Sequence, residues 1–385
     1  MQSDIYTAFY SKQLGQWLLC FFLGLIPVLS HAGIFRSDSI DFTDDEKQQF
    51  QDSFDRFPQK ILPNLIPMGG AIWLDNQHVI MTVNEMPDGW NTETMLIPKT
   101  DLSPVVEPHL FTSRIVTVDV QSNAIQDSIY PAGDLVCVDN GRIVIGVPPK
   151  TGAFDEYFSG KYGEKLAPMT HLLRGQKPHL IWVNCSEMDR KGKFLTFKLL
   201  PEHGTLEITK DLSFSLKAIP MSLYDPVGQL IATIQLTADA MPIGLRYLRY
   251  RNQYVSEGIV NEKTKHSGFL LSSDGKYSYI ESDPFLASLA QKYHGSGSVR
   301  MTKIGPFWTY YTTSDRWGQR GLYFRESGKL LRIDDSQVGS LAVSPDGCKL
   351  FYDRTTGNPK TIYQKLDFGR RKLVVLELCE NTIKN

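Results

Sequence analysis

Residues 341–353, LAVSPDGCKLFYD, decide how the chain is read. An apolar run enters Ser344-Pro345-Asp346-Gly347, and a second run leaves through Lys349-Leu350-Phe351-Tyr352. Proline presets φ at the first central position of a turn, aspartate bonds the amides that follow, and glycine accepts positive φ. Two strands joined by a tight hairpin are expected here. The pattern recurs at residues 268–281 (GFLLSSDGKYSYIE), turning at Asp274-Gly275, and at 133–147 (GDLVCVDNGRIVIGV), turning at Asn140-Gly141. Weaker copies start at Gly69 and Ser222, surround Asp315, and occupy residues 180–197.

Turn signals thus fall near residues 76, 140, 190, 227, 275, 317 and 347. Their spacing centres on the roughly 40–50 residues of one four-stranded propeller blade. A blade cannot bury both faces alone, and stacking blades in a ring covers them. The expected fold is all-β: a β-propeller of about seven four-stranded blades, six to eight being compatible with the spacing, with two short helices. A sandwich or mixed β fold built from the same hairpins is the alternative. The first helix is expected near Thr43 and Glu46, which have capping-box spacing, with Phe50, Phe54 and Phe57 on one helical face before Pro58. The second starts at Asp283-Pro284, with Leu286, Leu289, Ala290 and Tyr293 on one side. Residues 147–178 read as a long loop, and Gly295-Ser296-Gly297-Ser298 as a flexible connector.

Ahead of this body, Lys12 precedes the apolar run WLLCFFLGLIPVL at residues 17–29, which ends at Ser30-His31-Ala32. A bilayer span needs about 20 apolar residues, so a run this short followed by small residues is read as a signal peptide, an uncleaved anchor being the alternative. The expected organisation is a signal peptide at 1–32, an N-terminal segment with a short helix at 33–62, and the propeller at 63–385. Cleavage after Ala32 implies a periplasmic or secreted protein with no stable membrane span. The formal charge of −1 offers no electrostatic case for nucleic acid.

The segment Val343-Ser344-Pro345-Asp346-Gly347-Cys348-Lys349-Leu350 resembles the blade signature of WD-like β-propeller repeats, as found in the periplasmic propeller of the Tol system. The match is close only at residues 341–353; Leu271-Ser272-Ser273-Asp274-Gly275-Lys276 follows it with Ser in place of Pro. The resemblance implies an exported propeller whose function sits in its loops.

No residue set defines a catalytic centre. His78, His109, His171, His179, His203, His266 and His294 include no helical i,i+4 pair, and the chain has no G-x-S-x-G elbow. No metal and no cofactor are expected. The most distinctive polar cluster is LRYLRYR at residues 245–251. Read as a strand, it places Tyr247, Arg249 and Arg251 on one side, as a recognition patch would. The commoner explanation is an ordinary strand whose arginines snorkel from packed stems. The leading function is a binding or scaffolding module for a protein or glycan partner; the alternative is a propeller hydrolase acting on a glycan or lactone. Four cysteines follow the signal run. Cys348 begins the strand leaving the Ser-Pro-Asp-Gly turn, and Cys379 ends the next long apolar strand, KLVVLEL. Antiparallel pairing would bring their Cα atoms to about 4.5–5.5 Å, within disulfide range. Cys137 and Cys185 are a poorer pair, lying on strands that do not read as neighbours.

Overall fold

The computed structural model describes residues 42–62, 65–67, 71–85, 112–128, 130, 134–139, 141–147, 156–168, 188–191, 194–200, 202–209, 218–237, 245–260, 265–312, 319–355 and 371–379. All lie in the unit from Ser39 to Asn385. The expected signal peptide, Asn140, Cys185, His109, His171 and His179 fall outside the described residues.

At the deciding stretch, strands Gln337–Val343 and Lys349–Thr355 pair antiparallel around the Ser-Pro-Asp-Gly turn. Asp346 Oδ1 accepts from Cys348 N and from Ser344 Oγ, and Gly347 takes φ +75°. Arg371–Glu377 pairs with the second of these strands, and Gln59–Ile61 pairs with Arg371–Glu377. The C-terminal sheet is therefore completed by a strand from near residue 60.

Among the described residues the strands make six sheets. The first is built on Ile72–Trp73, His78–Glu85, Thr112–Asp119 and Ile125–Asp127, with Ile66–Pro67 added. The second holds Asp134–Asp139, Arg142–Val147, Glu156–Lys161 and Ala167–Pro168. The third holds Met188–Lys191, Phe194–Lys198, Thr205–Thr209, Ala218–Tyr224 and Leu230–Thr237. The fourth holds Arg246–Leu248, Gln253–Glu257, His266–Ser272 and Tyr277–Glu281. The fifth is built on Gly297–Met301, Pro306–Tyr310, Gly321–Glu326 and Lys329–Asp334, flanked by Ile259–Val260 and by Phe50–Asp52. The sixth is the C-terminal sheet. The second, fourth and sixth are four-stranded and antiparallel throughout, which fits the expected blades.

Strand alternation explains how the sheets stack. In His78–Glu85, Val79, Met81 and Val83 join Phe351, Leu373 and Val375 of the sixth sheet, whereas Ile80 points the other way, to Ile143 and Ile145 of the second. Both faces are buried, so the strand reads as a near-continuous apolar run. Leu350, Tyr352 and Val374 on the opposite face of the sixth sheet meet Phe307, Leu322 and Leu331 of the fifth. Trp308 and Val299 of the fifth meet Val255 and Leu270 of the fourth, whose Tyr254 and Phe269 pack on Leu206 and Ile234 of the third. Each sheet therefore packs face to face in the order second, first, sixth, fifth, fourth, third. The two turn signals near 190 and 227 belong to one sheet, the third, which is why seven signals correspond to six sheets.

Among the described residues two helices accompany the strands. α1 (Asp44–Lys47) has the expected capping box between Thr43 and Glu46 but runs for only 4 residues. The helical face expected through Phe57 does not form. Phe50–Asp52 instead pairs parallel with Lys329–Asp334, because Phe50 gains Phe42, Phe285 and Tyr323 as ring neighbours there. Phe57 packs separately on Phe307 and Phe324. α2 (Pro284–Tyr293) starts as expected: Asp283 accepts from Phe285 N and Leu286 N, and Leu286, Leu289, Ala290 and Tyr293 are buried. The loop expected at 147–178 carries strands Glu156–Lys161 and Ala167–Pro168, which weak alternation concealed. The expected connector is not one: Gly297 opens a strand laddered to Pro306–Tyr310, and Ser296 bridges Tyr311.

Cys348 and Cys379 are disulfide-bonded, with Cα atoms 5.2 Å apart. The bond follows from register, since Lys349 lies opposite Glu377. Cys137 is also disulfide-bonded.

Glu46 fastens the N-terminal segment. It accepts from Tyr293 Oη at 2.6 Å, Lys292 Nζ at 2.9 Å and Thr43 N at 2.9 Å. Burial alone would raise its pKa, but these donors outweigh it and lower the carboxyl from 4.5 to about 2. A carboxylate with a depressed folded pKa stabilises above its unfolded pKa and loses that contribution as pH falls through the folded value. Acid titration of folding should therefore show about 3 kcal/mol lost between roughly pH 4.5 and 2 that Glu46→Gln no longer shows. Equal acid sensitivity in both proteins would refute this.

Gly347 offers a second test. A Cβ there would lie 2.8 Å from the Tyr250 ring and 2.9 Å from Lys303 N, whereas one at Gly228, also at positive φ, would meet nothing within 4 Å. Urea unfolding should show Gly228→Ala costing about 1 kcal/mol and Gly347→Ala clearly more, about 2–3 kcal/mol.

Candidate binding surface on the hairpin turns

Antiparallel strands return the first-to-second and third-to-fourth turns of each sheet to the same end. The first turns of the first, sixth, fifth and fourth sheets, and the second turn of the five-stranded third sheet, contact one another. Asp346 N donates to Asn76 Oδ1 (3.0 Å) and Lys349 Nζ to Asn76 O (3.0 Å), joining the sixth sheet to the first. Lys303 N donates to Gly347 O at 2.9 Å, joining the fifth to the sixth. Arg251 Nη2 donates to Thr302 O at 3.2 Å, joining the fourth to the fifth. His203, on the turn before Thr205–Thr209, stacks obliquely on Tyr247 at 5.1 Å, joining the third to the fourth. The result is a belt of turns across five sheets.

Beneath the belt lies a charged layer. Glu257, nearly buried, accepts from Arg246 Nη2 at 2.8 Å and from Met301 N at 2.7 Å, and Arg300 Nη1 lies 3.7 Å from its other oxygen. Arg300 Nε also donates to Leu341 O at 3.1 Å. Tyr250 Oη donates to Met301 O at 2.6 Å, and burial pushes its pKa up to about 12. Arg246 and Arg300, both partly exposed, thus converge on the nearly buried Glu257 carboxylate and link the fourth sheet to the fifth, with Arg300 reaching the sixth at Leu341 O.

The hairpin at 245–257 carries the residues singled out in the sequence. The strand expected through Arg251 ends at Leu248. Arg251 N bonds Leu248 O and Asn252 N bonds Arg249 O, closing a turn in which Asn252 takes φ +53°. Leaving the strand breaks the expected alternation, so Tyr247, Arg249 and Arg251 do not share one face. Tyr247 is half-buried between His203 and Tyr254, whose rings lie 5.1 and 4.9 Å away, and its hydroxyl donates to Asn252 Oδ1. Its pKa is raised by burial and then by the Glu202 carboxylate, while Arg249 acts in the opposite sense. Arg249 is exposed on the turn that follows this strand. Arg251 turns away onto Thr302 and Lys303. The structure therefore groups Tyr247 and Arg249 with His203, Glu202 and Asn252. The last three escaped the sequence reading because two stand on another sheet's turn, and Asn252 signals only a turn.

No family model matches the chain, and no curated protein matches it. Among solved structures it is similar to the β-propeller domain of the Trilobed protease from Pyrococcus furiosus, at 10% identity over 76% of this chain and 80% of that one, with a TM-score of 0.30. It is similar to YCF48 bound to D1 peptide, at 9% identity over 87% of this chain and 99% of that one, TM-score 0.38. It is also similar to TolB from Acinetobacter baumannii, at 12% identity over 64% of this chain and 60% of that one, TM-score 0.26. All three matches are partial and distant.

The two arginines should separate experimentally. Arg251→Ala removes hydrogen bonds between two turns and should cost about 1 kcal/mol in denaturant unfolding. Arg249→Ala, at an exposed turn, should stay within about 0.5 kcal/mol of the parent. Equal costs would contradict this division of roles.

Proposed function

We propose that the chain is an exported β-propeller of six blades that acts as a binding or scaffolding module, using the turn-belt end of the fourth sheet. The observation that carries the reading is the contrast within one hairpin. Arg246 is spent on Glu257 within the hairpin and Arg251 on holding the fourth sheet to the fifth, whereas Arg249 is exposed on the turn that follows half-buried Tyr247. Rigid scaffolds that present loop residues are the usual setting for recognition, and Tyr with Arg is its enriched chemistry. Face-to-face packing of successive sheets supports the propeller. Disulfides at Cys348–Cys379 and at Cys137 support export to an oxidising compartment. No helix among the described residues is long and apolar enough to cross a membrane.

The test pairs processing with capture. Intact mass of exported material should correspond to a chain beginning at Gly33. Cross-linking in the native exported fraction should yield a specific adduct from the parent that Tyr247→Phe/Arg249→Ala, which keeps the ring packing, loses at nearly unchanged melting temperature. Undiminished adduct in the double variant would overturn the assignment of this surface, and turnover of a glycan or lactone by the purified protein would favour a hydrolase.

A further inference from the structure

We infer that Cys137 is bonded to Cys185 in the exported chain, and that this bond ties together the second and third sheets, the two ends of the stack. The sequence holds five cysteines, Cys20, Cys137, Cys185, Cys348 and Cys379. Cys348 is bonded to Cys379, and Cys137 is disulfide-bonded as well. Its partner within the chain is therefore Cys20 or Cys185. Cys20 lies in the apolar run that export removes on the reading above, which leaves Cys185. The inference uses the export reading for that step and is independent of the binding surface. Cys185 lies outside the described residues, three positions before Met188, the first residue of the third sheet.

The position of Cys137 favours the same pair. In Arg142–Val147, Ile143 and Ile145 face the first sheet, whereas Val144 points the other way and clusters with Cys137, Val136 and Tyr157. Cys137 thus stands on the face of the second sheet turned away from the first. The third sheet directs Leu206, Ile208, Met221, Leu223 and Ile234 toward the fourth. Its other face carries a cross-strand row of Glu207, Ser222 and Thr233, of which Thr233 is exposed. Apolar clusters join every other neighbouring pair of sheets in the stack, and none among the described residues joins the second to the third. A polar row gives burial little to act on, so a covalent tie supplies what packing does not. A disulfide keeps its Cα atoms within about 7 Å, and three extended residues add about 11 Å at most. The bond would hold the start of the third sheet within about 18 Å of Cys137, a range that includes the roughly 10 Å spacing of stacked sheets. The pair reads poorly from sequence because its strands share no ladder, but a bond between sheets needs none. In its formation the two thiols give up two protons and two electrons to a disulfide oxidant of the export compartment, which leaves as a dithiol.

The pairing is tested on exported protein by blocking free thiols with N-ethylmaleimide under denaturing conditions and mapping peptides without reduction. A linked pair containing Cys137 and Cys185 is expected, with no alkylated Cys185. A free thiol at Cys185, or linkage of Cys137 to Cys20 or to a second molecule, would overturn the pairing. Intact mass reports separately whether the chain begins at Gly33, so retention of Cys20 is distinguishable from a wrong pairing. The tie is tested by amide hydrogen exchange on folded Cys185→Ala, or on the parent after mild reduction and alkylation if the variant is not exported. Exchange should rise about tenfold or more in Asp134–Asp139, Met188–Lys191 and Phe194–Lys198, and stay unchanged in Pro306–Tyr310 of the fifth sheet. A uniform rise throughout the chain, or no rise at either end of the stack, would overturn the tie.

Discussion

The contact on which the rest of the structure depends is the approach of neighbouring hairpin turns around Gly347. The Tyr250 ring and the Lys303 amide come so close that no side chain fits between them. Three sheets meet at that point, the fourth through Tyr250, the fifth through Lys303 and the sixth through Gly347. Hydrophobic burial holds adjacent sheets together but is not directional, so it does not fix how far one slides along another. The hydrogen bonds of the belt do fix it. They are mostly directed at backbone atoms, from Lys303 N to Gly347 O and from Arg251 to Thr302 O, so they depend on turn geometry more than on side-chain identity. The Ser-Pro-Asp-Gly turn is contacted in this way on both sides, by Asn76 at Asp346 N and by Lys303 N at Gly347 O.

The two ends of the described chain meet on the fifth and sixth sheets. Phe50–Asp52 and Gln59–Ile61 each cover an outer edge that would otherwise expose unpaired backbone groups. Between them, Arg56 forms a two-bond pair with Glu326, and Arg332 pairs with Asp52 while lying over the Phe50 ring at 5.1 Å. The strap is consequently held by ladders, ions and rings together. The Cys348–Cys379 bond closes the opposite side, fastening Arg371–Glu377, the strand to which Gln59–Ile61 pairs. Lys292 and Tyr293 on α2 complete the arrangement by gripping Glu46, so a helix late in the chain anchors one near its start.

Legibility in the sequence followed the range of the interaction responsible. Local chemistry was readable: Asp283-Pro284 started α2, Thr43 and Glu46 formed their capping box, and Asp274-Gly275 and Ser344–Gly347 made hairpins. Pairing of Cys348 with Cys379 was readable too, because one hairpin step sets its register. Interactions between distant segments were not. Phe50, Phe54 and Phe57 have helical spacing, yet Phe50 entered a strand because its partners lie near residues 285 and 323. Glu156–Lys161 was missed because its partner strand, not its own alternation, decides its state. In the hairpin at 245–257 the strand expected through Arg251 ends at Leu248, so Arg251 leaves the face that alternation gave it. His203 and Glu202 could not be grouped with Tyr247 and Arg249, since only the packing of the third sheet on the fourth brings those turns together.

That same dependence bears on how a binding surface can arise in such a fold. Arg246 and Arg300 converge on the nearly buried Glu257 carboxylate, so loss of either leaves that charge less well paired where desolvation is costly. Arg249 carries no such obligation. Its turn is nevertheless held by Arg251 on one side and by the Tyr247–His203–Tyr254 group on the other, so an exposed residue is presented in a fixed setting. A ligand meeting such a residue does not have to order the loop that carries it, which removes part of the entropic cost of association. Constraint from the neighbours and freedom at the tip are thus two consequences of the same belt, and the tip is where chemistry can change without disturbing the stack.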